Sequence, residues 1–250
     1  MTSFDLTGRA ALVTGGNGGI GLGMAKGLAE AGARVLVVGR DAAKNAAALT
    51  ELGEGHAVFA ADVTREAECE AAVAEAERRF GRLDILVNNA GTNRRIRPEV
   101  LSLEDWHGVL DTNLTSAFVM SRAAFPLLAR QGGKVINIGS MMSLFGVPFS
   151  AAYAASKGGI VQFTKVLATA WAEHGIQANA VLPGWIDTEL TRGARRDIGD
   201  LHDRVLARTP AKRWGVPGDL AGVAVFLASP ASDYVTGTAI PVDGGYSIQG

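Results

Sequence analysis

The chain has 250 residues, 48% of them hydrophobic, so it is long enough to bury the core of one α/β domain spanning residues 1–250. Its formal net charge of −1 excludes a general attraction to nucleic acid or to an anionic membrane surface. A single cysteine, Cys69, excludes an internal disulfide and is typical of a reducing compartment. No basic segment followed by an apolar run opens the sequence, and no apolar run is long enough to span a bilayer. We therefore expect a soluble, cytoplasmic protein.

The first predicted element is a strand over residues 9–14, followed by a glycine-rich turn and a helix that ends at Gly32. The turn, TGGNGGIG over residues 14–21, lies where backbone N–H groups and a helix N-terminus can meet a pyrophosphate. Side chains would obstruct that approach, which is why glycines suit it. A flexible surface loop is the alternative, but the position between strand and helix favours phosphate binding.

The second predicted strand, residues 35–38, ends at Gly39, Arg40 and Asp41. At this position an acidic side chain binds the adenosine ribose of NAD, whereas a basic one accommodates the 2′-phosphate of NADP. Gly39 offers no carboxylate, Arg40 offers a guanidinium, and Asp41 resembles the N-cap of the next helix. The pattern favours NADP(H) over NAD(H), with a solvated Arg40 or a ribose-binding Asp41 as the alternative.

The strand–helix pattern then repeats. Residues 57–61 predict a strand that ends at Asp62 and Val63, where the carboxylate can approach an adenine amino group. Residues 66–80 predict a helix, and residues 83–87 a buried strand that runs into Asn88-Asn89-Ala90-Gly91. Strands rich in branched residues alternating with helices indicate a doubly wound parallel sheet, a Rossmann-type α/β fold with helices on both faces. Ligands of such sheets bind beyond the carboxyl ends of the strands.

Two features of the next segment have open interpretations. Residues 93–98 place three arginines in a loop, which suits either recognition of an anionic substrate or a solvated surface. Residues 103–130 predict a long helix with Asn113 in its interior. Because asparagine is a poor helix former, Asn113 indicates either a role for its amide or a local kink.

The strand predicted for residues 133–139 leads to Ser140, and the helix predicted for 151–174 carries Tyr153 and Lys157 in its first turns. Four residues apart, the phenol and the ammonium share one helix face. A cation there favours the phenolate and lowers the tyrosine pKa from about 10. Tyr153 is thus a candidate general acid or base, and Ser140 a hydroxyl that holds the reacting oxygen. Taken alone, the pair is more typical of a half-buried tyrosine beside a solvated lysine than of a catalytic pair.

The remaining elements complete the sheet. Residues 178–182 and 238–242 predict strands, and residues 219–228 predict a helix. Residues 188–208 are polar with few periodic apolar positions, which fits a mobile lid or an exposed pair of helices. The apolar side chains of the 141–145 loop either fill core or line a pocket.

At this point the residues resemble the short-chain dehydrogenase/reductase family over essentially the whole chain. Each motif alone is weak, but their order and separations together are specific. The motifs are Thr14-Gly15-x-x-x-Gly19-x-Gly21, Asn88-Asn89-Ala90-Gly91, Asn113, Ser140, Tyr153-x-x-x-Lys157 and Pro183-Gly184.

The resemblance implies a homotetramer in which Tyr153 exchanges a proton with the carbonyl or alcohol oxygen. Lys157 would lower the pKa of Tyr153 and hold the nicotinamide ribose, Ser140 would orient the substrate, and Asn113 would hold a water. The cofactor would carry the hydride, and no metal is expected. The positions expected to contact the dinucleotide are Gly15, Asn17, Gly19, Ile20, Gly21, Arg40, Asp62, Val63, Asn89, Ala90, Gly91, Tyr153, Lys157, Pro183, Gly184, Ile186 and Thr188.

Within that family the chain is most similar to sugar-acid dehydrogenases of the gluconate 5-dehydrogenase and 2-deoxy-gluconate 3-dehydrogenase types. Arg94 and Arg95 would suit a substrate carboxylate, whereas Met142, Phe145 and Trp185 would suit an apolar ketone equally. We therefore expect an NAD(P)(H)-dependent oxidoreductase that interconverts a secondary alcohol and a ketone in a sugar acid or a related compound. A 3-ketoacyl-thioester reductase and a non-catalytic dinucleotide-binding sensor are the alternatives.

Overall fold

A computed structural model describes residues 3–249. Met1 and Thr2, which belong to the N-terminal segment without a predicted secretory signal, lie outside the described residues. The described chain forms a seven-stranded sheet in which all neighbouring strands are parallel, in the order β3-β2-β1-β4-β5-β6-β7. The strands are β1 (Ala10–Thr14), β2 (Arg34–Gly39), β3 (Ala57–Ala60), β4 (Ile85–Asn88), β5 (Gly133–Ile138), β6 (Ile176–Pro183) and β7 (Ala239–Val242).

Nine α-helices of eight or more residues connect and flank the strands of the described chain. They are α1 (Gly19–Glu30), α2 (Ala42–Leu52), α3 (Glu66–Phe80), α4 (Leu103–Leu110), α5 (Ser116–Leu128), α6 (Ala151–Ala170), α7 (Glu189–Asp197), α8 (Leu201–Arg208) and α9 (Ala221–Ala228). None of these described helices is long and apolar enough to cross a membrane.

Both faces of the sheet are buried. On one face Leu12 and Leu36 pack with side chains of α3, α5 and α6, including the fully buried Cys69. On the other face Val13 and Val37 pack with side chains of α1 and α9. Because successive strand residues point to opposite faces, strands covered on both sides need apolar residues at every position. The doubly wound parallel α/β fold predicted from the sequence is confirmed.

The helix predicted for residues 103–130 is interrupted. It consists of α4, a π-helical segment over Asp111–Thr115 and α5. The interruption is centred on Asn113, so the predicted kink is present, and such segments are frequent at functional sites. Residues 188–208 contain the helices α7 and α8, so the pair of helices expected from the sequence is present.

Asp84 ties the start of β4 to the start of β1. Its carboxylate is buried and accepts hydrogen bonds from the backbone N–H of Ala10 at 2.9 Å, from Arg9 at 3.1 Å and from Arg82 at 2.7 and 2.6 Å. Buried backbone donors need a partner, and here the carboxylate supplies it at the point where the two central strands begin.

Asp84→Ala should lower the free energy of unfolding by about 1–3 kcal/mol, because the buried N–H of Ala10 loses its acceptor. Thermal or urea unfolding measures this loss. Asp200→Ala is the control, since the Asp200–Arg204 pair is largely exposed and should contribute less than about 1 kcal/mol. Equal stability of the two variants would remove Asp84 as a stabilising contact.

Candidate active site

The carboxyl ends of the strands open into one cleft of about 680 Å³. Parallel strands bring the loops that follow them to the same edge, which is why segments far apart in sequence meet there. Most of the predicted cofactor and catalytic residues line it, whereas Gly21 and Asn113 lie behind its wall. The predicted residues that line the cleft are Gly15, Asn17, Gly19, Ile20, Arg40, Asp62, Val63, Asn89, Ala90, Gly91, Ser140, Tyr153, Lys157, Pro183, Gly184, Ile186 and Thr188.

The glycine turn has the shape that a close phosphate contact requires. Gly15 and Gly19 have φ values of 61° and 51°, a region that side-chain-bearing residues rarely adopt. A side chain on Gly21 would overlap the carbonyl of Gly15. The side-chain amide of Asn89 donates to the carbonyls of Thr14 and Gly15 at 3.0 Å each. The turn is thus held from the end of β4, and the cleft fits a dinucleotide pyrophosphate.

The end of β2 presents an exposed base, Arg40, beside the carboxylates of Asp41 and Asp62, which also line the cleft. Arg40 is 72% exposed and lies 3.7 Å from Asp62 Oδ2. Asp41 accepts hydrogen bonds from the backbone N–H of Ala43 at 2.9 Å and of Lys44 at 3.0 Å. Asp41 therefore caps α2, which is one of the two interpretations of its position in the sequence. Its carboxylate accepts both of these bonds from the first turn of the helix.

Ser140, Tyr153 and Lys157 meet at the floor of the cleft. The hydroxyl of Ser140 accepts from the backbone N–H of Met142 at 3.1 Å, which holds the residue at the end of β5. Lys157 donates from Nζ to the carbonyl of Ile138 at 2.6 Å, and its Nζ lies 5.7 Å from the centre of the Tyr153 ring. The predicted grouping of a phenol, an ammonium and a hydroxyl is therefore present.

Burial changes the acid–base properties of this group. It raises the pKa of the Tyr153 phenol above its ordinary value, while the Ser140 hydroxyl and the charge of Arg95 act in the opposite direction. Burial also lowers the pKa of the Lys157 ammonium to about 8. The direction for Tyr153 is opposite to the sequence expectation, because desolvation, which disfavours the charged form, is the largest effect on its phenol.

Asn113 connects three segments around the cleft. Its side chain accepts from the backbone N–H of Thr92 at 2.7 Å and donates to the carbonyl of Thr92 and to Ser156 Oγ, both at 3.0 Å. Ser156 in turn donates to the carbonyl of Tyr153 at 2.7 Å. The amide thus has a structural partner on each side and fixes the first turns of α6 against the loop after β4.

The two candidate arginines have different surroundings. Arg95 is 24% exposed, donates to the carbonyl of Leu190 at 3.0 Å and lies 3.4 Å from Asp197. Its positive charge acts on Tyr153. Arg94 is 64% exposed and lies 3.4 Å from Asp105 in α4. Neither guanidinium lines the cleft, but of the two arginines only Arg95 carries a charge that affects the pKa of Tyr153.

The apolar substrate candidates lie in two clusters outside the cleft lining. Trp185 packs edge-on against Trp214, with ring centres 5.6 Å apart, beneath α7 and α8. Phe145 and Met142 pack beside the buried Met141, so the loop after β5 mainly fills core. Their positions give no preference for an apolar ketone.

Two residues at this end of the cleft were not predicted from the sequence. Lys44 lines the cleft, and Asn45 supports it from behind. The Nζ of Lys44 lies 2.7 Å from Glu189 at the start of α7. Two bases within five residues of the end of β2, Arg40 and Lys44, could have indicated a second base at this end of the cleft. Asn45 is buried and bonded to Asn17, a contact that no local pattern predicts.

Known proteins are similar to this chain over nearly its whole length. A family model described as enoyl-(acyl carrier protein) reductase matches residues 15–247. A 2-dehydro-3-deoxy-D-gluconate 5-dehydrogenase of Formosa agariphila is 43% identical over 97% of this chain and 94% of its own length. A gluconate 5-dehydrogenase of Gluconobacter oxydans is 42% identical over 98% of this chain and 97% of its own. A crystal structure of a gluconate 5-dehydrogenase from Burkholderia cenocepacia, in complex with NADP and tartrate, is 42% identical, has a TM-score of 0.94 and covers 99% of this chain and 98% of that one.

Proposed function

The chain belongs to the short-chain dehydrogenase/reductase family, and we propose that within it the protein is an NADP(H)-preferring dehydrogenase of sugar acids. It is an NAD(P)-dependent oxidoreductase that interconverts a secondary alcohol and a ketone. The observation that supports the substrate class is the positive charge of Arg95, which lies outside the cleft lining but acts on Tyr153 and would favour a substrate carboxylate there. The sugar-acid names of the relatives support the same class.

In this proposal each polar group at the cleft floor has one task. Tyr153 gives a proton to the carbonyl oxygen, or takes one from the alcohol in the reverse direction. Ser140 orients that oxygen, and Lys157 holds the nicotinamide ribose. Asn113 keeps the start of α6 in place through Ser156. The dinucleotide supplies or accepts the hydride.

The preference for NADP(H) follows from the charges at the end of β2. Arg40 and Lys44 face the cleft, and Asp41 is engaged as a helix cap. A 2′-phosphate would gain two bases here, whereas a bare ribose would meet no free carboxylate at position 39. The NADP of the Burkholderia cenocepacia structure supports this choice.

The proposal extends to the rest of the chain. We infer that residues 1–250 act as one dinucleotide-binding domain, that the protein assembles as a homotetramer, and that it works in the cytoplasm. The single cysteine, which is buried and donates to the carbonyl of Val63, suits a reducing compartment.

A ketoacyl-thioester reductase is the second candidate. The family model that matches this chain has an acyl-carrier-protein description, which favours testing it. A non-catalytic sensor is not retained, since the chain belongs to a family of enzymes and carries the proton-transfer group that a sensor does not need.

The wild-type enzyme should oxidise or reduce gluconates and deoxygluconates faster than polyols, steroids or acetoacetyl thioesters, as followed at the nicotinamide absorbance band.

Tyr153→Phe should lower kcat by about 10²- to 10⁴-fold, since proton transfer is lost, and leave NADPH affinity nearly unchanged. Tyr234→Phe is the control because Tyr234 is fully exposed. Activity of Tyr153→Phe at the wild-type level would remove Tyr153 from the mechanism, and preferred turnover of the thioester would favour the second candidate.

Arg95→Ala should raise KM for acidic substrates by about tenfold or more and leave KM for neutral polyols nearly unchanged, since a charge-assisted bond contributes about 1.5–3 kcal/mol. Its loss should also shift to higher pH the rising limb of the kcat profile for alcohol oxidation, where Tyr153 must be deprotonated to accept the proton. The sign follows because the Arg95 charge favours the phenolate, so its removal raises the pKa of Tyr153. Arg94→Ala is the matched control. Equal effects of both variants would make the loop a general surface charge.

Arg40→Ala should weaken NADPH binding by about tenfold while NADH binding changes little, because only NADPH carries the phosphate that the guanidinium meets. Calorimetry or fluorescence titration of both dinucleotides measures the ratio. Arg204→Ala, an exposed arginine in α8, provides the control. A parallel loss of both affinities would contradict the cofactor preference.

A further inference from the structure

Gly39, the last residue of β2, is enclosed by two asparagine side chains. A Cβ on this residue would lie 2.7 Å from Asn17 Cγ and 2.8 Å from Asn45 Oδ1. The backbone of Gly39 lies outside the left-handed region, so its conformation would suit any residue. A side chain at position 39 would therefore meet no conformational barrier but would have to move the side chains of Asn17 and Asn45 aside.

Asn45 holds this arrangement together. Its side chain is buried in the first turns of α2, donates to the carbonyl of Gly39 at 2.8 Å and accepts from Asn17 Nδ2 at 2.7 Å. One side chain thus connects the end of β2, the glycine turn and the start of α2. A buried amide with partners on both its oxygen and its nitrogen has little freedom to move aside.

The end of β2 is also where dinucleotide sites choose between the two cofactors. A carboxylate at this point binds the free ribose of NAD, and its absence together with a base accommodates a 2′-phosphate. Here the space for such a carboxylate is occupied by the bridge between Asn17 and Asn45. A side chain at position 39 would have to displace Asn17, which belongs to the phosphate-binding turn.

We propose that Asn45 is a positioning residue for cofactor choice. By holding Asn17 against Gly39, it fills the space that a side chain at position 39 would need. Arg40 and Lys44 are then the side chains that meet the 2′ substituent of the cofactor. The proposal rests on the NADP(H) preference stated above. In this proposal the Asn45 side chain has two effects: it anchors the glycine turn, and it influences which 2′ substituent the cofactor carries. It follows that a carboxylate at position 39 cannot bind the ribose while Asn45 is present.

The test is a cycle of four proteins: wild type, Gly39→Asp, Asn45→Ala and the double variant. Dissociation constants for NADPH and NADH are measured by fluorescence titration, and thermal unfolding is followed in parallel. In the wild-type background, Gly39→Asp should weaken both dinucleotides by about tenfold or more, because the turn is displaced. In the Asn45→Ala background, the same substitution should strengthen NADH binding by about tenfold relative to Asn45→Ala alone.

Two further variants separate the space requirement from folding and charge. Gly39→Ala adds only the Cβ, so it should weaken both dinucleotides in the wild-type background and have little effect in the Asn45→Ala background. Glu51→Ala alters an exposed residue of the same helix, and Gly39→Asp in this background should behave as it does in the wild type. These variants apply even where the Gly39→Asp proteins are too unstable to titrate.

The proposal is overturned if Gly39→Asp or Gly39→Ala has the same effect on NADH affinity with and without Asn45. Because the titrations need no substrate, failure of the sugar-acid assignment leaves the result unaffected. Equal NADPH and NADH affinity of the wild type would contradict the cofactor preference itself. The coupling between positions 39 and 45 would still be measured by the same titrations.

Discussion

The parallel pairing of β1 with β4 determines the geometry of the whole cleft. The strand order reverses direction between these two strands, so the chain leaves β1 toward one face of the sheet and β4 toward the other. The pairing of Val13 with Val87 makes both strands end at the same level. The hydroxyl of Thr14 then accepts from the N–H groups of Asn89 and Ala90 at 3.0 and 3.1 Å. The phosphate-binding turn and the path to the reacting groups are thus fixed to one another.

Desolvation is the dominant electrostatic effect at the floor of the cleft. It raises the pKa of Tyr153 and lowers that of Lys157 to about 8, so the lysine gives up its proton before the tyrosine does. Arg95 is different, since a guanidinium stays protonated throughout the physiological range. Above about pH 8, Arg95 is therefore the persistent positive charge beside the phenol.

Two bases from outside the segment of α7 and α8 contact it near the cleft. Arg95 bonds to Leu190 and faces Asp197, and Lys44 pairs with Glu189. The apolar cluster beneath the two helices, around Trp214, is small and separate from the main cores. Both anchoring bases lie next to places where the proposed ligands carry negative charge.

The amino-acid sequence by itself determined the fold class, the phosphate-binding turn and the grouping of Ser140, Tyr153 and Lys157. These depend on local periodicity and on motifs that follow strand ends, and parallel strands always bring such ends together. Only the tertiary structure decided between Arg94 and Arg95, since the partner of Arg95 is 95 residues away. It also revealed Asn45, whose bond to Asn17 spans 28 residues. Side-chain contacts of this range depend on helix packing and leave no pattern in a single sequence.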